Sequence, residues 1–286
     1  MNSIPVKRPD WLKVKAFRGE GYGSIRKLLR EKGLHTVCQE ALCPNIGECF
    51  GNGTATFLIL GDSCTRNCTF CNVSSTAPCG LDIDEPQRVA EAVQAMGLDY
   101  VVITSVTRDD LADGGASIYA KTIKSIKSAR PHCKVEVLIP DFQGDYECLK
   151  IVLDAGPDVL NHNLETIKRL YLEVRPQSDY FRSLELLEKA SKYLTKIPTK
   201  SGLMVGLGET LEELKVALRD LREHGCRFLT VGQYLAPSKQ HHPVIRYYHP
   251  DEFKEIEDYA RSIGFENAFC APLVRSSYHA GERAQR

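Results

Sequence analysis

Cys64, Cys68 and Cys71 form a Cys-x3-Cys-x2-Cys triplet in the stretch GDSCTRNCTFCNV, and Cys38, Cys43 and Cys49 form a second, spaced x4 and x5, just upstream. Six of the 11 cysteines therefore fall within 34 residues. In a reducing compartment such density points to metal ligation or catalysis rather than to disulfides. The odd cysteine count points the same way, as does the start MNSIPVKRPDWLKVK, which reads as neither signal nor transit peptide. Structural zinc usually takes four protein ligands, often as Cys-x2-Cys pairs. A three-thiolate loop leaves a coordination position open. On a 4Fe–4S cluster it leaves one iron free to bind a small chelating molecule. The competing assignment is a zinc loop completed by a distant His or Cys. The eight histidines show no metal-site spacing such as H-E-x-x-H, and the adjacent His241 and His242 read as loop residues.

Such ligands need a scaffold. From about residue 55 the chain alternates apolar, β-rich runs with amphipathic stretches. The expected strands are Ala55–Gly61, Tyr100–Val106, Lys134–Pro140, Val159–Leu164, Gly202–Leu207 and Phe228–Leu235. Their continuous apolar character is that of strands buried on both faces of a parallel sheet. Between them Val89, Ala92, Val93 and Met96 follow helical spacing, as do Leu211, Leu214, Leu218 and Leu221, and a further helix is expected near Asp251–Ser262. The pattern predicts an α/β protein, a partial (β/α)6 parallel TIM-type barrel with N- and C-terminal extensions. Residues 1–50 carry the upstream triplet, 51–263 the barrel and 264–286 a C-terminal segment.

In βα barrels chemistry sits on the loops after the C-terminal ends of the strands. Here the first strand runs into the Cys64 triplet, and polar or glycine residues recur at the other ends: Thr104 and Ser105, Asp141, Asn161 to Glu165, Gly206 to Glu209, and Gln233. That is the pattern of one shared pocket.

The triplet after the first strand, with Phe70 before its last cysteine, resembles the radical S-adenosylmethionine (SAM) superfamily. The string VCQEALCPNIGECF, with CTRNCTFCNV, VITSVTRDDLADGGA, NHNLETI, GLMVGLGET and RSSYHA, is similar to lipoyl synthases from about residue 9 to 281. The resemblance implies two 4Fe–4S clusters. Cys64, Cys68 and Cys71 would hold the one that binds and reductively cleaves SAM. Cys38, Cys43 and Cys49 would hold an auxiliary one, with a serine of RSSY as fourth ligand. Ser277 is the matching position and Ser276 the runner-up. A hard alkoxide suits the cluster less well than thiolate, so such a ligand is apt to leave when sulfur is surrendered.

The implied reaction inserts two sulfur atoms at C6 and C8 of an octanoyl chain on a lysine of a lipoyl carrier protein. Each insertion needs one radical hydrogen abstraction, and the auxiliary cluster donates the sulfur. Unactivated carbon offers nothing to an acid or a base, so the cofactors carry the chemistry. Candidate SAM contacts are Thr104, Ser105, Asn163, Glu165 and Arg175, the last as a carboxylate partner, with Gly206–Gly208 allowing close approach of backbone. A satisfied hydrogen bond at a strand end is the alternative for each.

Expected partners are octanoylated carrier domains (the glycine-cleavage H protein or a 2-oxoacid dehydrogenase E2) and a low-potential donor, ferredoxin or flavodoxin. Lys+Arg and Asp+Glu balance at 37 each, against a general nucleic-acid binder. No apolar run approaches a membrane span, so a cytoplasmic location is expected. Arg108, Asp109 and Asp110 are either a candidate substrate gate or a solvated charge cluster, and Asp113 is expected near a helix start. Lys7, Arg8, Lys13, Lys15 and Arg18 are a candidate docking patch for an acidic carrier. Cys79, Cys133, Cys148, Cys226 and Cys270 read mostly as buried thiols, with adventitious ligation open to Cys79 and Cys270. Two other readings are a different radical SAM sulfurtransferase and a non-catalytic iron–sulfur electron carrier.

Overall fold

The computed structural model describes residues 7–13, 21–78, 80–193 and 195–283. Eight strands, β1 (His35–Thr36), β2 (Thr56–Ile59), β3 (Tyr100–Ser105), β4 (Lys134–Leu138), β5 (Val159–Asn161), β6 (Thr199–Val205), β7 (Phe228–Gln233) and β8 (Asn267–Cys270), form one sheet in chain order. β1 pairs antiparallel with β2, and every later pairing is parallel. No pairing joins β1 to β8 among the described residues, so the barrel is open. This is the expected partial barrel with one more parallel strand than the sequence pattern marks. β8 reads Asn-Ala-Phe-Cys, which is short and has no β-branched residue.

The helices are α1 (Gly21–Glu31), α2 (Val37–Glu40), α3 (Ile46–Gly51), α4 (Glu85–Ala95), α5 (Ala116–Ala129), α6 (Tyr146–Asp154), α7 (Tyr171–Val174), α8 (Tyr180–Tyr193), α9 (Leu211–Glu223), α10 (Pro250–Ser262) and α11 (Ala280–Arg283). Their starts are written locally. Thr210 and Glu213 make a reciprocal capping box on α9, and Pro250 opens α10 after a His249 cap. Asp113 accepts from Gly115 N and Ser117 N at the head of α5, as its position suggests. Gly115 itself has φ 88°, and a Cβ there would collide with Leu60 Cδ1, so both conformation and space demand glycine.

Strand side chains alternate between two faces. Val101, Ile103, Val135, Val137 and Leu160 pack outward beneath α4, α5 and α6, while Leu203, Val205, Leu229 and Val231 do so beneath α9 and α10. The inward face is polar at its N-terminal end. There Glu136 accepts from Tyr100 Oη at 2.6 Å, Asn161 Nδ2 at 3.0 Å and Lys200 Nζ at 2.8 Å. Four strands thus share one buried, paired charge, which a lone carboxylate could not sustain away from water.

The C-terminal segment does not lie as a flank on the outside. After β8, residues 272–281 run along the inner face. Gln233 N donates to the Pro272 carbonyl, Ser276 lies against Gly202, and the α-carbon of Gly281 faces the Tyr100 ring. The segment that the sequence marks as an extension is therefore part of the barrel filling.

Candidate functional site

The Cys64–Cys71 loop is strapped down from several sides. Cys64 N donates to the Ser74 carbonyl at 2.8 Å, Thr65 N to that of Thr107 at 2.9 Å, and Thr69 N to that of Val174 at 3.0 Å. His241 Nε2 donates to the Cys71 carbonyl at 3.1 Å, which gives the adjacent histidines the loop role expected of them. Two backbone donors, Arg66 N and Thr107 N, reach Cys64 Sγ at 3.4 and 3.3 Å. Inside the loop, Arg66 forks onto Asp109 (2.7 and 2.9 Å) and places a third bond on Asp141 Oδ1 at 2.6 Å. Burial pushes the Asp141 carboxyl up, but the Arg66 hydrogen bond and charge outweigh it and hold the group at about 2.

Asp109 is paired with Arg66, and Arg108 is buried against Asp110 at 2.8 Å, so these charges are held in ion pairs beside the Cys64–Cys71 loop. Sequence reasoning missed Arg66 altogether. Its position within Cys-x3-Cys marks it only as a loop residue, and Asp141 lies two strand loops away.

At the end of β5 the structure gathers three of the candidate SAM contacts. Asn163 Nδ2 donates to Glu165 Oε1 at 2.9 Å, and Arg175 Nη1 donates to the Asn163 and Leu164 carbonyls at 3.0 and 3.3 Å. Arg175 Nε is buried without a hydrogen-bond partner. Glu165 adopts φ 67°, a left-handed conformation that costs a non-glycine residue on the order of 1–3 kcal/mol and clusters at functional sites. Burial raises its pKa against the pull of Arg175, Asn163 and Arg275. Burial also raises Cys68, against the nearby Arg175 charge. Thr104 and Ser105 stand apart at the end of β3. Thr104 Oγ1 donates to the Leu138 carbonyl at 3.2 Å, while Ser105 Oγ is buried with no partner. Gly206 is not open to a ligand, because Gln233 and the Arg246 carbonyl fill the space a side chain would take. Glu209 instead accepts from Gly206 N and Leu207 N at 2.6 and 3.0 Å.

Beneath this group His162 is fully enclosed. The Ile139 carbonyl accepts its Nδ1–H at 2.8 Å and Ser183 lies 3.0 Å from Nε2. Burial, with the Arg175 charge, lowers its pKa to about 4. The folded protein thus resists a proton that the unfolded chain takes up near 6.5. The stability from neutral His162 is full above pH 6.5 and is lost as pH falls toward 4. Denaturant titrations of wild type and His162→Asn should therefore diverge in pH slope across that window, by on the order of 3 kcal/mol in total. Parallel curves would show that His162 is not buried neutral.

The upstream triplet sits on α2, the turn after it and α3. Burial is the main cause that pushes Cys38 to about 11 and Cys49 to about 12, with Cys43 adding to the first and Cys38 and Cys43 to the second. In the other triplet Cys71 rises to about 12 through burial, with Cys68 and Cys64 contributing. Within each set the thiols lie close enough to oppose one another's ionisation, and a cationic iron centre removes that opposition. The donor sets therefore fit thiolate-bound clusters. Among the described residues no three His, Cys, Asp or Glu side chains close on a point as one metal ion requires. A four-iron cluster is a larger body whose ligands stand further apart.

The C-terminal segment reaches this triplet. Asn45 Nδ2 donates to the Leu273 carbonyl at 2.7 Å, Tyr278 Oη donates to Glu48 at 3.0 and 3.1 Å, and His279 Nε2 meets Glu48 Oε1 at 3.1 Å. Ser277 is carried between these anchors. Burial raises Cys43, and Arg275 pulls it down. Cys133, Cys148, Cys226 and Cys270 are buried, with Cys270 on β8, and Cys79 lies outside the described residues. Of the basic run, Lys13 pairs with Asp10 at 2.7 Å and Arg8 donates to the Leu12 carbonyl at 2.7 Å, while Lys15 and Arg18 lie outside the described residues.

Known proteins match this arrangement. The pattern of the radical SAM superfamily covers residues 58–221. The chain is 58% identical over 279 residues to the lipoyl synthase of Caldicellulosiruptor saccharolyticus, spanning 98% of each. It is 54% identical over 281 residues to that of Methylococcus capsulatus, spanning 98% of this chain and 87% of the relative. Among solved structures, methylornithine synthase superposes with a TM-score of 0.54 at 12% identity, over 92% of this chain and 86% of that one. Streptococcus suis SuiB bound to SAM superposes at 0.58 and 11% identity, over 79% and 54%. At such identities these two likenesses concern the fold.

Proposed function

The chain belongs to the lipoyl synthase family of the radical SAM superfamily, and on that premise we propose how its own residues divide the work. The reaction is the insertion of two sulfur atoms at C6 and C8 of a lysine-bound octanoyl chain. When bound, SAM and the two 4Fe–4S clusters supply the hydrogen-abstracting radical and the sulfur. Cys64, Cys68 and Cys71 hold the cluster that meets SAM, and Cys38, Cys43, Cys49 and Ser277 hold the auxiliary one.

The observation that carries this assignment is the clamp on Glu48, which brings the RSSY segment from the far end of the chain onto the second triplet. Arg175 supports a role in SAM binding, since its buried Nε still lacks the acceptor a carboxylate provides. Asn163 and Glu165 orient the same ligand, and Ser105 offers an unpaired hydroxyl at the next strand end but one. Arg66, Asp109 and Asp141 keep the first cluster loop from shifting.

The macromolecular substrate is an octanoylated carrier domain, H protein or E2, and the reductant is a low-potential ferredoxin or flavodoxin. No helix among the described residues is long and apolar enough to cross a membrane, and cytoplasmic action fits this chemistry.

A single-turnover anaerobic assay tests the reading. Reconstituted protein, SAM and a strong reductant are mixed with an octanoyl-lysyl peptide and followed by mass spectrometry. Two sulfurs gained, with two 5′-deoxyadenosines formed, is the expected result. Deoxyadenosine without sulfur transfer would move the substrate assignment elsewhere, and neither product from cluster-loaded protein would leave an electron carrier.

A further inference from the structure

Two serines stand side by side at 276 and 277, and the structure gives them different surroundings. Ser276 Oγ donates to Asn163 Oδ1 at 2.9 Å inside the barrel. The space it occupies exists because residue 202 is glycine. A Cβ there would lie 2.7 Å from Ser276 Oγ, 2.8 Å from Asn163 Oδ1 and 3.0 Å from Thr230 Oγ1. On the neighbouring strand, a Cβ at Gly232 would collide with the Val274 carbonyl oxygen and stand 3.1 Å from Arg275 Nη1. Neither glycine has a positive φ, so steric room and not backbone conformation is what each provides. Together they cut a groove in the inner wall of β6 and β7 in which residues 274–276 lie.

Ser277 follows immediately, and among the described residues its hydroxyl has no hydrogen-bond partner. The next two residues are tied to Glu48, one position before Cys49. The serine pair is thus anchored on one side to the barrel and on the other to the second triplet.

We propose that Ser276 is a positioning residue. Its bond to Asn163, made in the groove left by Gly202 and Gly232, fixes the C-terminal segment so that the Ser277 hydroxyl is presented to the auxiliary cluster. This rests on the reading of Ser277 as that cluster's ligand. It also explains why the motif needs two hydroxyls, one for the wall and one for iron. Since Asn163 donates to Glu165, the chain Glu165–Asn163–Ser276 links the SAM side of the barrel to the ligand of the second centre.

Two measurements test this on Ser276→Ala and Ser277→Ala. The first is hydrogen exchange of residues 274–281 in the cluster-free full-length protein. The second is low-temperature EPR of the reduced auxiliary cluster, in a Cys64→Ala background that removes the signal of the other. A lost part-buried hydrogen bond of this kind opens a segment by roughly five- to tenfold. Ser276→Ala should show that increase in exchange, with a full auxiliary iron load but an EPR signal split between wild-type and Ser277→Ala forms. Ser277→Ala should change the EPR signal completely and leave the exchange as in wild type. Gly232→Ala, which displaces the same segment without touching either serine, should behave like Ser276→Ala.

Wild-type exchange and EPR in Ser276→Ala would overturn the positioning role while the assignment of Ser277 stands. A complete EPR change in Ser276→Ala with none in Ser277→Ala would make Ser276 the ligand and overturn both. An unchanged EPR signal in both variants would remove the serine ligand, and the proposal with it.

Discussion

Replacing Arg66 with Met should destabilise the cluster-free protein by about 3–5 kcal/mol, the usual effect of breaking a buried ion pair from one side. Arg66 has a side chain only 4% exposed, and its closest partner Asp141 is fully buried. Removing the guanidinium strands the Asp141 carboxylate, which Arg182 touches only at 3.4 Å. The double variant Arg66→Met/Asp141→Asn should recover part of the loss, because the fully buried charge is then removed and only the more exposed Asp109 and Arg182 lose a partner. Urea titration reads both values.

The pH dependence has a definite sign. The folded Asp141 carboxyl is held at about 2 against an ordinary 3.8. Its contribution is therefore complete above pH 3.8 and is lost as pH falls toward 2, a window below that of His162. Its size is about 2 kcal/mol. A single variant costing less than 1 kcal/mol would mean that the network does not brace the loop. Since Arg66 lies between Cys64 and Cys68, two of the proposed ligands of the first cluster, the single variant should also reconstitute with markedly less iron at that centre.

The second large effect separates the two triplets. Cys43→Ala should drop the iron content of reconstituted protein from about eight to about four per chain. It should still convert SAM to 5′-deoxyadenosine, yet transfer no sulfur to an octanoyl-lysyl peptide. The reason is architectural. Cys43 belongs to the N-terminal α2–α3 region that meets the C-terminal segment, whereas the Cys64 loop is held by hydrogen bonds to Ser74, Thr107, Val174 and His241, and its link to α2 runs through Asn72 and the Glu40 carbonyl, not through Cys43. Cys68→Ala should do the reverse, keeping about four irons but losing cleavage altogether. Loss of SAM cleavage in Cys43→Ala would mean that the triplets are not independent.

The readable parts of this protein were those encoded over short distances. Ligand spacing within each triplet spans a few residues, and buried parallel strands announce themselves as continuous apolar runs. Parallel topology, however, joins loops far apart in sequence. Arg66 and Asp141 are 75 residues apart, and Ser276 and Asn163 are 113 apart. No local pattern marks such pairs, so the ion pairs that brace the Cys64–Cys71 loop were missed. β8 was invisible for another reason. Its four residues include one strand-favouring side chain, Phe269, beside the disfavoured Asn267 and Ala268, and they pair along the β7 edge. Gly202 and Gly232 did leave a trace, since a glycine within a strand often marks a close approach of another backbone.

The bond between Tyr278 and Glu48 spans 230 residues. A ribosome adding about 5–20 residues per second therefore makes Glu48 some 10–50 s before its partner exists. During that interval the nascent chain holds every residue of the first cluster loop and every thiol of the second, but not the segment that closes it. The barrel groove at Gly202 and Gly232 is likewise empty until residues 274–276 have been made. The two thiol triplets are in this way made early, and the segment that ties down against Glu48 beside the second of them follows much later.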